Sequence, residues 1–439
     1  MEGNRGAALP TLKNIYCVIN LSNISILRLF HNMRRRAPLI SRYFTAITLA
    51  GVTRGLWVIT LGWSSALIGG SVALVGIAFL VGHLMNVILA PSVGALIDRR
   101  SRKRLAIFGQ TLFGCAMATP WFAHLLGYAP SYAMLLLIAA CIAAAALVQG
   151  GALDAIQKSI VDKGDIKRTN AIANGLRQGS MIAGAGLGGV VLMWLPIHAG
   201  FIVGSALCAL VVVCLLGLPD ANPPVSARKS YLAQMGEGYR FFLRKPELGR
   251  LALLIGLSTS VGQLSNVMLP LLVQNELNGG SELYGLIDAL WSVGGIAAAA
   301  CVARLLRRSG LGGFEYLSIV ALGLFTAIVS FSLNSMSVAG LYLLMGFAFS
   351  FSKILCDGRM IELADMESIG RVRTYTQAVT SAFGLIVFSM PALTGVESVR
   401  THYVFWGLGV VVIAAAIYLT TNFACAAVGQ ATTERDAHD

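Results

Sequence analysis

Gly94 to Arg104 read GALIDRRSRKR, directly after an apolar run that ends near Val93. One acid and five basic residues crowd a tight turn, and a second apolar run starts at Leu105. Here an acid can pair with arginine and lock the turn. The surplus cations suit an anionic cytoplasmic lipid face. The question is whether the rest of the chain is sorted across a bilayer in the same way.

Composition says that it is. The chain has 439 residues, 56% hydrophobic and 12% charged, with mean hydropathy +0.74. A soluble domain carries about 25% charged residues. Twelve apolar runs of spanning length stand at roughly 43–68, 71–93, 105–126, 131–153, 169–194, 197–217, 251–273, 283–303, 314–334, 338–358, 374–396 and 402–424. Backbone groups in lipid must be satisfied within their own segment, so each run is expected to be helical.

The net charge of +13 is a topology signal rather than a nucleic-acid footprint. With the N-terminus inside, all but four of the 33 Lys and Arg fall on the cytoplasmic side. Arg54, Arg177 and Lys353 lie within spans, and Arg400 stands alone outside. Both termini are therefore expected in the cytoplasm. The eight cysteines form no CxxC or Cys/His spacing, so neither a disulfide framework nor a metal site is expected. No GxxxxGK[ST] loop is present, so no nucleotide cofactor is expected and energy would come from an ion or substrate gradient. No hydrolytic constellation points to an enzyme.

The chain divides into a tail (1–42), a six-span unit (43–218), a linker (219–250), a second six-span unit (251–424) and a second tail (425–439). In the linker, Tyr231, Met235, Tyr239 and Phe242 recur at helical spacing, which predicts an amphipathic helix on the membrane surface. The halves look like copies. Asp154, Asp162 and Arg168 after span 4 reappear as Asp357, Asp365 and Arg371 after span 10, each 203 residues on. The second 8–9 loop keeps Arg304, Arg307 and Arg308, and its acid is missing.

Gly94, Asp98, Arg99, Arg102, Lys103 and Arg104 resemble the loop between helices 2 and 3 of the major facilitator superfamily, with Ser101 in place of the usual Gly. Gly184, Ala185, Gly188 and Gly189 on span 5 are similar to the antiporter run of that superfamily, with Ala185 at its Pro position. The same glycines also read as plain helix packing. The stretch from Gly236 to Pro246, with Thr169-Asn170-Ala171 and Tyr284-Gly285-Leu286, resembles the branch of enterobactin-type siderophore exporters and macrolide-efflux proteins. Many proton antiporters of the superfamily carry Arg-x-x-Gln-Gly on span 4. Here Gln149-Gly150 is present and Ala146 fills the Arg slot.

The resemblance implies an all-α membrane protein of twelve transmembrane helices in two pseudo-symmetric six-helix bundles around a midplane cavity. It implies a secondary transporter of the bacterial inner membrane, a monomer among lipids. Such a transporter would export a small amphiphilic or chelating molecule, a siderophore or drug, by alternating access in exchange for protons. Two other readings stay open: proton-coupled or uniport uptake of a small metabolite, and a non-transporting scaffold or sensor with the same fold.

Charges and amides inside spans are costly, so they are the candidate working residues. Arg54 on span 1 can meet an anionic group with its planar fork. Asp288 on span 8 is a candidate proton carrier, or a partner of Arg54. Lys353 and Asp357 lie one turn apart on span 10 and can pair. Gln149, Gln263 and Asn266 can hydrogen-bond a ligand or a facing helix. Trp57 can stack on an aromatic substrate or simply pack. His83 and Asn86 read as packing residues. Gly94, Asp98, Arg99, Arg102 and Asp154 are the candidate gate, with Asp154 expected to pair with the arginines after Asp98.

Overall fold

A computed structural model describes residues 37–161, 166–220, 245–305, 313–363 and 369–436. The helix expected at 231–242 lies outside them, as do Asp162, Asp365 and most of the first tail. The described residues contain no strand. They form twelve long helices: α1 Ala37–Gly69, α2 Val72–Arg99, α3 Arg102–Leu125, α4 Tyr132–Ile160, α5 Ile166–Trp194, α6 Ile197–Leu216, α7 Pro246–Leu271, α8 Ser281–Leu305, α9 Phe314–Val329, α10 Ser335–Leu363, α11 Ile369–Thr394 and α12 Val399–Asp436. Ten are long and apolar enough to cross a membrane. The other two are α9, a shorter apolar helix, and α5, which is 29 residues long but diluted by polar side chains such as Arg177 and Gln178.

Local chemistry sets the ends. Ser71, Ser101 and Ser131 cap α2, α3 and α4, their hydroxyls accepting from Leu74, Arg104 and Met134 amides at 3.2 to 3.3 Å. Each satisfies an amide that the helix leaves orphaned. Gly70 turns α1 into α2 with φ +67°, a conformation that a Cβ resists. Pro270 removes a donor near the end of α7, and the helix continues as a wider π turn, Leu272–Glu276.

The packing repeats. α1 packs on α5 and α6, α2 on α4, and α3 on α4 and α6. Adding six gives the second bundle: α7 on α11 and α12, α8 on α10, and α9 on α10 and α12. The bundles meet along two seams related by the same operation, α5 with α8 and α2 with α11, while α1 touches α7.

Those seams are closed at the end away from the chain termini. There the Val72 amide donates to Glu397 Oε2 at 2.8 Å, and Trp63 stacks on Tyr284 at 5.0 Å. Phe79 stacks on Phe388 at 5.4 Å, with the His83 ring edge-on to Phe388 at 4.8 Å. Among the described residues, the recorded cross-bundle hydrogen bond furthest toward the termini is Lys353 Nζ to Gln178 Oε1, 3.2 Å, near mid-helix. Toward the termini from that bond, Gly175 and Gly179 of α5 and Gly358 of α10 border open space, and Leu84, Val87 and Ile88 of α2 are exposed.

Candidate transport site and gates

Arg54 sits mid-helix in α1, where α4 crosses it. One terminal nitrogen donates to the Ala146 carbonyl at 2.8 Å and to Gln149 Oε1 at 3.3 Å. Gln149 Nε2 in turn donates to Gln110 Oε1 on α3. Arg54 Nε is enclosed and has no partner, and no carboxylate pairs with the guanidinium among the described residues. The contact with Ala146 bears on the sequence pattern. The span 4 arginine of related antiporters is absent, and a guanidinium from α1 is laid against that slot instead. Gly150 makes room, since a Cβ there would stand 3.2 Å from the Arg54 terminal nitrogen.

One turn toward the termini is a second polar chain. Asp154 pairs with Arg177 on α5, not with the arginines of the 2–3 loop. Arg177 also donates to the Tyr43 hydroxyl at 3.2 Å, which donates to Gln157 Oε1 at 3.0 Å. Helical phase explains the difference. Arg102 is buried and donates to the Ala155 carbonyl at 3.1 Å, one residue round α4 from Asp154, which faces α5 instead. Lys103 Nζ reaches the Leu216 carbonyl at the end of α6, 2.7 Å. These cations clasp helix ends within one bundle. Gly94 borders open space and Arg99 is exposed. The Asp98 side chain lies outside the description.

The second bundle carries the matching clasp. Glu315 at the start of α9 is buried and pairs with Arg359 on α10, and it also accepts the Gly313 amide at 3.1 Å. In this bundle the acid stands on the first turn of α9. Arg359, counted as a loop cation from sequence, belongs to α10.

Asp288 and Arg54 do not meet. Asp288 Oδ2 is enclosed without a partner. Lys353 bonds Gln178 on α5 and lies 5.7 Å over the Phe349 ring, with Asp357 one turn away on α10. Trp57 is buried against Phe201 of α6, with ring centroids 6.3 Å apart, and so packs inside its own bundle. Gln263 is brought to the α2–α11 seam. A Cβ on Gly384 would stand 2.9 Å from Gln263 Nε2 and 2.7 Å from His83 Nε2. Gln263 Oε1 is enclosed and unpaired. The Asn266 carbonyl instead borders Gly62 of α1.

The small residues of α5 are packing surfaces. Gly184 lies against Val52, Gly188 against Leu56, and Gly189 against Gly285 of α8. Sequence reasoning missed Glu397 and Phe388 and read Tyr284 only as part of a branch motif; together the three close the far end. The scarcity of charge there is the signal that could have pointed to Glu397. Among the described residues, no group of three or more His, Cys, Asp or Glu is placed to hold a metal.

Known proteins share this arrangement. The chain is 28% identical over 323 residues to the enterobactin exporter EntS of Shigella boydii serotype 4, covering 73% of this chain and 74% of that one. It is 27% identical over the same length to the Escherichia coli O139:H28 exporter of that name, with the same coverage. Solved folds that match include the nucleoside transporter NupG (TM-score 0.63, 17% identity, 87% of this chain and 98% of that one). A bacterial homologue of the iron transporter ferroportin, in an inward-facing state, matches with TM-score 0.65 at 16% identity over 87% and 98% of the two chains. The model of the Major Facilitator Superfamily matches residues 43–389. Two six-helix bundles repeated in packing, joined along two related seams, and that match place this chain in the superfamily: it is a multi-pass membrane transporter of the Major Facilitator Superfamily.

Proposed function

We propose that the protein exports a small anionic or chelating molecule, of the catecholate siderophore kind, across the inner membrane in exchange for protons. It works as a monomer with both termini in the cytoplasm. Arg54 carries this reading. An arginine without a carboxylate partner at mid-helix depth is expensive unless an anion visits it. A fork with one nitrogen anchored and the others uncommitted suits a carboxylate or catecholate oxygen pair. In this orientation the seams closed by Glu397, Tyr284 and Phe388 face the outside, which leaves access from the cytoplasm, the loading side for export. The relatives named enterobactin exporters support the direction and the cargo class. Arg102 and Lys103, which clasp α3 to α4 and α6, keep the inner mouth rigid, and Asp154, Arg177, Lys353 and Asp357 are the candidate coupling charges near it.

Proteoliposomes test it with enterobactin as the probe. Vesicles acid inside should accumulate enterobactin through the wild-type protein and fail to do so with Arg54→Ala. Accumulation driven only by an acid exterior would mean uptake by symport. Equal accumulation by Arg54→Ala would refute the role of the arginine.

A further inference from the structure

Three residues one turn apart on α8 share a face: Tyr284, Asp288 and Ser292. The outer two cross the seam to the first bundle. The Tyr284 hydroxyl donates to the Ile59 carbonyl of α1 at 3.2 Å, and the Ser292 hydroxyl donates to the Ile182 carbonyl of α5 at 2.9 Å. Asp288 lies between them, and its Oδ2 is enclosed with no hydrogen-bond partner. Other elements offer oxygen rather than cations. Tyr342 of α10 is within electrostatic reach and bonds Tyr403 of α12 behind it, with the buried Ser265 hydroxyl of α7 beside it.

The charged groups on the packed elements are committed elsewhere. Arg54 of α1 is bonded to Ala146 and Gln149, Arg177 of α5 to Asp154, and Lys353 of α10 to Gln178. Tyrosine hydroxyls ordinarily titrate near pH ~10 and stay neutral in a cell. Among the described residues, the closed seam therefore offers no counter-charge for a carboxylate. An unpaired buried charge is the costliest way to close it, and one proton removes that cost.

We infer that Asp288 is the proton site that controls the outer gate: protonated, it lets the α8 face seat against α1 and α5; deprotonated, it parts them. The inference rests on the proton-coupled reading above and names its titrating group. It also makes the proton act on the motion of the halves rather than on the cargo.

Leu126 and Leu333, exposed at the outer turns of the two bundles, are sites for spin labels after replacement by cysteine in a background lacking the other cysteines. In lipid nanodiscs the wild-type distance distribution should shift from short toward long as pH rises from 5.5 to 8.5. A single proton site moves the ratio by up to about tenfold per pH unit. Asp288→Asn should stay short throughout, with its folding verified by a melting temperature and a monodisperse elution profile like those of the wild type. Asp288→Glu should restore the pH response. An Asp288→Asn distribution that still moves with pH like the wild type overturns the inference, and so does a wild-type distribution blind to pH. If the label response follows Asp288 while acid-inside vesicles fail to accumulate enterobactin, the latch stands and the cargo reading falls. If Asp288→Asn keeps gradient-driven accumulation, the latch falls and the export reading stands.

Discussion

Placing a methyl group on Gly285 should force the outer gate open. A Cβ at Gly285 would lie 2.8 Å from the Gly189 carbonyl carbon and 3.1 Å from its Cα, whereas ordinary contact begins at 3.4 Å. Both obstacles are backbone of α5, so no side chain can swing away. The helices must separate by at least about 0.6 Å at that point, as read from those distances. Overpacking of this kind costs about 1–3 kcal/mol. Here the protein can escape the cost by moving to the state in which the seam is already parted. The ratio of parted to closed should then rise by roughly five- to 150-fold, read from the Leu126/Leu333 label pair. Gly184→Ala is the control. Its Cβ would meet Val52 Cα at 2.6 Å and the carbonyl carbon at 2.7 Å, an equal or worse overlap, but Val52 belongs to the same bundle and travels with it. Gly184→Ala should lower the melting temperature and leave the label ratio near wild type. The reasoning is refuted if both variants shift the ratio alike, or if Gly285→Ala leaves it unchanged.

Other outcomes follow from single contacts. Glu397→Ala removes the acceptor of the Val72 amide at the first turn of α2 and should favour the parted state by about 1 kcal/mol, the usual worth of a helix cap, on the same labels. Arg54→Lys keeps the charge and loses the fork, so enterobactin accumulation should fall at least ~10-fold, where a purely electrostatic role would leave it intact. Arg359→Gln strands Glu315, which is 1% exposed, and should cost about 3–5 kcal/mol of stability in thermal unfolding. Asp154→Asn, removing half of a pair whose side chains are 30% and 55% exposed, should cost about 1 kcal/mol or less.

The twelve helices were legible because lipid enforces long apolar runs, and the gathering of cations in alternate loops marked which ends belong together. Boundaries were less so. The first run begins at Tyr43 while α1 begins at Ala37, and α12 runs on to Asp436, because a helix leaving the bilayer carries polar residues that hydropathy does not register. α5 was legible through its glycines despite its charges. Pairings were illegible for a geometric reason. Adjacent residues on a helix point about 100° apart. Asp154 and Ala155 therefore meet different partners, Arg177 and Arg102, and only the phase of α4 against α3 and α5 decides which. The cation at the Ala146 slot was hidden in the same way: Arg54 is 92 residues distant in sequence, and only the crossing of α1 with α4 brings it there. The acid of the second bundle stands at the start of α9 rather than about 203 residues after Asp98 at the end of α8, so a search at fixed spacing passed over Glu315.

Arg54 and Asp288 belong to opposite bundles and touch different partners, so anion and proton need not meet to be coupled. Each needs only to bind one position of the halves better than the other. This gives a test that no direct-contact scheme passes. At pH 8.5 Asp288→Asn should favour the seated seam and Gly285→Ala the parted one. If both act on the same motion and no other, their free energies should add in the double variant, a demanding test because Asp288 and Gly285 stand only three residues apart on α8. The label ratio of the double variant should then fall between those of the single variants, at the product of their fold-changes within about a factor of two. A double variant that behaves wholly like Asp288→Asn would mean that the carboxyl acts before the glycine contact forms. One that behaves wholly like Gly285→Ala would mean that the proton matters only after it has formed. Either outcome would replace a single shared motion by an ordered pair of steps.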